Sequence, residues 1–169
     1  MAPEPDDTAS ALAALGIEGV LSHMPGGFFV YRADADEGLI YANEACCRIF
    51  GCDDLSAFKR LTGFTFPGMV HPDDIVRVED SIARQIAADQ FDMDYVEYRI
   101  VRSDGAVRWI EDYGHYVETK AGPLFYVFIN DGTEKHERHR KKLASVSAEL
   151  AEAHVREAEH RSMLRGALS

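Results

Sequence analysis

Apolar and polar residues alternate with period two in Val96, Tyr98 and Ile100, and again in Phe125, Val127 and Ile129. Such alternation puts one set of side chains on one face of a sheet. The stretch from Tyr95 to Glu134 therefore predicts three strands joined by two turns. Ser103-Asp104-Gly105 supplies the φ > 0 position of a hairpin. Lys120-Ala121-Gly122-Pro123 makes the second turn. Upstream, Phe28 to Arg32 and Leu39 to Ala42 read as two short strands around an acidic turn from Ala33 to Gly38.

Helical spacing accounts for most of the rest. Thr8 or Ser10 caps a short helix with Leu12, Leu15, Val20 and Leu21 on one side, and Pro25-Gly26-Gly27 breaks it. Asn43 caps a helix that runs through Phe50 and ends at Gly51. A helix from Asp53 to Leu61 turns Leu55, Phe58 and Leu61 inward. His71-Pro72-Asp73-Asp74 starts a longer helix, with Pro at the first helical position and carboxylates suited to the helix dipole. That helix reaches about Ala88 and carries Ile75, Val78, Ile82 and Ile86 as its inner stripe. A second long helix runs from Thr133 to about Leu168, and Asp131 with Glu134 forms a variant capping box. Leu143, Val146, Leu150, Ala153 and Leu164 form a seam whose register also takes in Glu157 and His160. A lone polar helix is marginal in water, which favours a parallel two-chain coiled coil over a single solvated helix.

Composition narrows the partners. The 169 residues suit one domain with flanks, and 46% hydrophobic content supplies a core. A net charge of −11 argues against nucleic-acid binding and against an anionic membrane surface. No apolar run approaches the roughly 20 residues of a membrane span, and MAPEPDDTAS lacks the pattern of a secretory signal. Cys46, Cys47 and Cys52 cannot all pair internally, so a reducing, cytoplasmic compartment is expected.

The order of two strands, short helices, one longer helix, three strands and a final helix resembles a PAS domain with its C-terminal PAC motif, over about residues 25–135. The residues that carry the resemblance are Val70-His71-Pro72-Asp73-Asp74, Glu97-Tyr98-Arg99, Ser103-Asp104-Gly105, Arg108-Trp109 and Asp131-Gly132-Thr133-Glu134-Lys135. The usual closing motif is Asp-Ile-Thr, and Gly132 in its middle is expected to loosen the backbone there. The resemblance implies an α+β fold: a five-stranded antiparallel sheet in order 2-1-5-4-3, with helices on one face and a cavity between. It divides the chain into a tail and cap helix (1–24), a sensor domain (25–132) and a coiled-coil-like linker helix (133–169). It also implies a bacterial sensory role upstream of an output domain, as in histidine kinases of two-component systems or in diguanylate cyclases. Neither a His-Glu-Leu/Arg phosphoacceptor box nor a Gly-Gly-(Asp/Glu)-Glu-Phe loop occurs, so the output domain is expected outside this chain.

Cofactor chemistry of the resembled family finds few matches. Photoactive flavin versions carry a reactive Cys before the long helix, and Thr62 to Val70 contains none. Haem versions hang the iron from a His within the long helix, and residues 72–90 contain none. Cys46 and Cys47 read as small buried hydrophobes, His71 as a cap and His115 as a structural histidine. His136 with His139, and His154 with His160, lack the companions of a metal site, so no metal is expected. No Gly-x-Gly-x-x-Gly, Walker loop or nucleophile elbow is present, and no catalytic residue is assigned.

By the same resemblance, the residue after the Trp of strand four points into the cavity. Strand parity then proposes a pocket of Val96, Tyr98, Ile100, Ile110, Asp112, Gly114, Phe125, Val127 and Ile129, with Phe66. Gly114 leaves space and Asp112 offers charge, which suits a small polar or cationic ligand; alternatively Tyr98 and Phe66 fill the space. The opposite face carries Trp109, Tyr113, His115, Leu124, Tyr126 and Phe128. So large an apolar patch calls for a cover, either the helix with Leu12, Leu15 and Val20 or a second copy in a homodimer. Asp131, Gly132 and Thr133 form the expected signal relay. The chain reads as a non-catalytic sensor that binds a small ligand, dimerises, or both; a ligand-free adaptor is the alternative, and a haem or redox sensor a third.

Overall fold

The fold is described from a computed structural model, which covers residues 10–11, 13–34, 36–88 and 91–168. The elements in order are α1 (Ile17–Ser22), β1 (Gly27–Arg32), β2 (Leu39–Ala42), α2 (Glu44–Ile49), α3 (Leu55–Thr62) and α4 (Phe66–Met69). They are followed by α5 (Ile75–Ala88), β3 (Met93–Val101), β4 (Val107–Thr119), β5 (Gly122–Asp131) and α6 (Thr133–Ala167). The strands form one antiparallel sheet in order β2-β1-β5-β4-β3. This is the order that the resemblance implied.

The hairpins follow their turn chemistry. Gly105 takes φ 82 between β3 and β4, and the Arg102 N–H donates to the Ala106 carbonyl at 2.9 Å. Between β4 and β5 the turn closes on Thr119 paired with Gly122, at φ 104. Pro123 is therefore a strand residue paired with Glu118, not part of the turn. The first hairpin also docks on α2: the Ser103 N–H donates to the Phe50 carbonyl at 2.9 Å.

Asn43 does more than cap α2. Its Oδ1 accepts from Cys46 N at 3.1 Å and from Phe28 N at 2.9 Å. Its Nδ2 donates to the Leu21 carbonyl at 2.8 Å and the Gly26 carbonyl at 3.2 Å. A buried amide with every group satisfied fixes α1, β1 and α2 to one another.

Two helices depart from the sequence reading. In α3, capped by Asp54, Phe58 and Thr62 face inward, while Leu55 and Leu61 are 40% and 39% exposed. Thr62 takes an inner position because its hydroxyl donates back to the Phe58 carbonyl at 2.8 Å. α5 starts at Ile75, three residues beyond Pro72, because Pro72 to Asp74 form a turn. His71 Nδ1 accepts from Asp73 N at 3.1 Å, and the His71 carbonyl from Asp74 N at 2.9 Å. Val78 and Ile82 bury the inner stripe of α5, flanked by half-buried Ile75 and Ile86.

The chain divides into two compact units, one ending at Gly132 and one beginning at Thr133. The core of the first lies between the inner sheet face and α2 to α5. The second is α6, which leaves Leu143, Val146, Leu150 and Leu164 exposed. No helix among the described residues is long and apolar enough to cross a membrane.

Candidate functional site: the inner sheet face and its cleft

Strand parity puts Val96, Tyr98, Ile100, Ile110, Asp112, Gly114, Phe125, Val127 and Ile129 on one face, and all are buried. Phe66 joins them from α4, where Thr65 caps a single helical turn. The rings close the centre of this face. Tyr31 of β1 stacks on Phe66 with centroids 4.7 Å apart and on Phe125 at 5.0 Å. Of the ten predicted pocket residues, Phe66 and Phe125 line an open cleft of about 350 Å³. The other eight pack inside the core or beneath it.

The cleft opens between the inner face and α5. Tyr31, Phe66, Tyr116 and Phe125 form its aromatic wall, and Ile82, Ala83 and Ile86 form its helical wall. Glu37, from the turn after β1, and Glu79, from α5, supply its polar groups. Burial and the neighbouring Glu79 carboxylate, which shares a hydrogen bond with it, raise Glu37 to about 7. Tyr31, Glu37 and Glu79 were not among the predicted site residues. Parity on β1 marks Tyr31, since Phe29 and Tyr31 alternate with outward Phe28 and Arg32.

Two buried acids stand on the inner face. Asp112 Oδ2 accepts from the Tyr98 hydroxyl at 2.7 Å. Burial drives Asp112 well above the usual carboxylate range, Asp94 adds to the rise, and the Tyr98 bond opposes it. Asp94 is 6% exposed, and neither of its side-chain oxygens has a hydrogen-bond partner. Burial raises it to about 6. It occupies the space that Gly114 leaves, since a Cβ at Gly114 would sit 2.4 Å from Asp94 Oδ2. Sequence reasoning singled out Gly114 and Asp112 but missed Asp94, although parity extended two residues back from Val96 reaches it.

The cysteines are buried and unpaired with one another. Burial pushes the Cys46 thiol up to about 12, and its S–H donates to the Phe28 carbonyl at 3.5 Å. A thiol held that high supplies almost no thiolate at neutral pH.

The outer face is aromatic and partly bare. Tyr113 is 44% and Tyr126 38% exposed, with Trp109 and Phe128 half-buried. Tyr95 packs its ring on Tyr113 at 4.9 Å, and the Arg99 guanidinium lies 5.9 Å from the Trp109 ring. His115 is exposed on this face. Leu15 is 64% and Val20 40% exposed, while Leu12 lies outside the described residues.

The end of β5 is tied down. Asp131 Oδ2 accepts from Arg108 Nε at 2.8 Å and lies 2.7 Å from Arg108 Nη2. The Gly132 N–H donates to the Trp109 carbonyl at 2.8 Å. A Cβ at Gly132 would sit 2.9 Å from Glu111 Cγ, so glycine here allows a close approach. Gly132 thus extends the ladder to β4. Thr133 opens α6.

A five-stranded antiparallel sheet with a helical layer over its inner face defines an α+β fold. The PAS fold family matches residues 39–130, just over half of the chain, and the chain belongs to that family. The PAS fold is found in signalling proteins. Solved structures agree on the fold. An RNA-binding light-oxygen-voltage receptor is 22% identical with a TM-score of 0.58, covering 88% of this chain and 41% of its own. The present chain thus spans less than half of that receptor. A sensory box histidine kinase/response regulator from Burkholderia thailandensis is 21% identical with a TM-score of 0.54, covering 87% and 98%. The PAS domain of an HTR-like protein from Haloarcula marismortui is 19% identical with a TM-score of 0.52, covering 75% and 93%. None of the curated proteins matches the chain.

Proposed function

We infer that the chain is a non-catalytic sensory module that binds a small ligand, self-associates through the outer sheet face, and passes its state along α6 to an output domain. One observation carries this reading: β5 lines the cleft with Phe125 and ends at Asp131, with only Gly132 before α6. A ligand against Phe125 therefore acts on the strand that leads into the helix. Differential affinity for two states of that strand would provide the signal. Residues 1–24 then serve as tail and cap, 25–132 as sensor and 133–169 as a coiled-coil linker, in a cytoplasmic protein. The test uses the protein joined to its output domain. Asp131→Ala is expected to leave the core folded by circular dichroism and to abolish regulation of the output. Regulation retained at full strength would contradict the relay.

A second reading, a ligand-free homodimeric adaptor, is favoured by the ring stack of Phe66, Tyr31 and Phe125 that fills the centre of the inner face. Native mass spectrometry separates the two: a retained small molecule supports the sensor and a bare dimer the adaptor. A redox sensor is disfavoured by the raised Cys46 thiol, and a flavin adduct by a Thr62 to Val70 stretch without cysteine. A colourless protein in the visible range is expected.

A further inference from the structure

The cleft carries charge of one sign only. Glu37 and Glu79 stand at its mouth and share a hydrogen bond, and its described lining holds no Lys, Arg or His. Glu37 faces Glu79 from α5, Asp34 from its own turn and Tyr31 from β1, and none of these is basic. Behind the aromatic wall lie Asp94 and Asp112. Both act on the Tyr31 hydroxyl, together with Glu37 and Glu79. All four carboxyl groups raise the Tyr31 hydroxyl, after burial, and Asp94 keeps both oxygens unpartnered at 6% exposure. Gathered acids of this kind stay protonated or wait for a counter-charge.

The backbone at the cleft mouth is held in an unfavourable shape. Glu37 has φ 46, a left-handed conformation that a non-glycine residue adopts only at a cost. Its carbonyl accepts from the Phe66 N–H at 2.9 Å, and its N–H donates to the Asp34 carbonyl at 3.2 Å. These bonds tie the turn carrying Glu37 to α4, the helix that supplies the aromatic wall. Opposite them, Ile82, Ala83 and Ile86 offer hydrocarbon and no oxygen ligands. A hard divalent cation takes about six or more oxygens, whereas an alkylammonium needs a carboxylate and an apolar wall.

We propose that this cleft binds a small organic cation, a short-chain alkylammonium whose charge lies between Glu37 and Glu79 and whose hydrocarbon tail packs on Ile82, Ile86 and the rings of Tyr31 and Phe125. The proposal rests on the reading of the chain as a ligand-binding sensor and names the ligand class. The ammonium replaces the proton that the two glutamates share, so binding releases that proton to the buffer.

The test is isothermal titration of the protein with n-butylammonium, its neutral counterpart 1-butanol, butyrate and Mg²⁺. Butylammonium is expected to bind at least about tenfold more tightly than the other three. Glu37→Gln and Glu79→Gln, both at the cleft mouth, are each expected to weaken it about tenfold. Near pH 6 the heat is expected to vary with the ionisation enthalpy of the buffer, and at about pH 8 that dependence disappears. Equal binding of butanol would overturn the cation and leave a ligand sensor standing. Binding of Mg²⁺ in preference would also overturn it, as would unchanged affinity in both variants. Failure of every probe would overturn it too, while native mass spectrometry decides separately whether the module holds any ligand.

Discussion

Asp74 and Asp94 are buried to the same degree, 5% and 6% exposed, beside opposite ends of β3. Asp74 stands where donors converge. Its Oδ2 accepts from Arg99 N at 2.9 Å and Arg99 Nε at 3.1 Å, and its Oδ1 from Arg99 Nη2 at 2.7 Å. The Arg99 bonds hold it below the usual carboxylate range despite burial. Asp94 has no such donor, and burial alone raises it. Equal burial therefore has two meanings. The first acid pins the start of α5 to the edge strand of the sheet; the second is an uncompensated charge kept inside the fold.

The largest effect is expected at the pinned end. Asp74→Ala removes three accepted bonds and leaves the Arg99 amide unsatisfied, at a cost of about 3 kcal/mol in urea unfolding. A loss below about 1 kcal/mol would break the contrast. At the other end the sign reverses. Between about pH 4 and pH 6 the folded state keeps the Asp94 proton that the unfolded chain has lost, so stability falls as pH rises through that window. Asp94→Asn is expected to stabilise the protein at neutral pH by about 2 kcal/mol, after allowing for the solvent that still reaches the site, and to flatten that slope. For Asp74 the dependence is opposite, since its contribution is lost as pH falls through its lowered pKa. Gly114→Ala sharpens the comparison on a smaller scale. Its Cβ displaces the Asp94 carboxyl at a cost of about 1–2 kcal/mol, and Asp94→Ala in the same chain should recover most of it. The smallest change in stability is expected on the outer face. Tyr113→Glu with Tyr126→Glu should shift unfolding by no more than about 0.5 kcal/mol, while sedimentation equilibrium reports loss of self-association.

Much of the fold around these two acids is legible in the sequence, and the missing parts have physical causes. Period-two alternation identified the inner residues of β3, β4 and β5, because a sheet with one buried face cannot slip register without exposing its core. The same rule reaches Asp94 and Tyr31, but Asp94 is a charged residue ahead of the apolar alternation, and Tyr31 sits in the continuous run Phe28 to Tyr31, where parity is hidden. On α3 the pattern favours Leu55 and Leu61 over Thr62, whose hydroxyl is satisfied within the helix, so of the expected inner residues only Phe58 is buried. Arg99 stands in Glu97-Tyr98-Arg99 and Asp74 at a helix start, yet nothing in their spacing pairs them. Glu37 and Glu79 likewise meet only once the fold brings α5 beside the turn after β1. The aromatic outer face follows from parity alone, and its occupant does not.

Carbon-detected NMR titration of the side-chain carboxyls compares the two acids in one experiment. The account predicts that Asp94 titrates near 6 and moves to lower pH when butylammonium is added, while Asp74 titrates below the usual range and does not respond. Asp94 titrating with the exposed carboxylates, or Asp74 moving with it, would contradict the account.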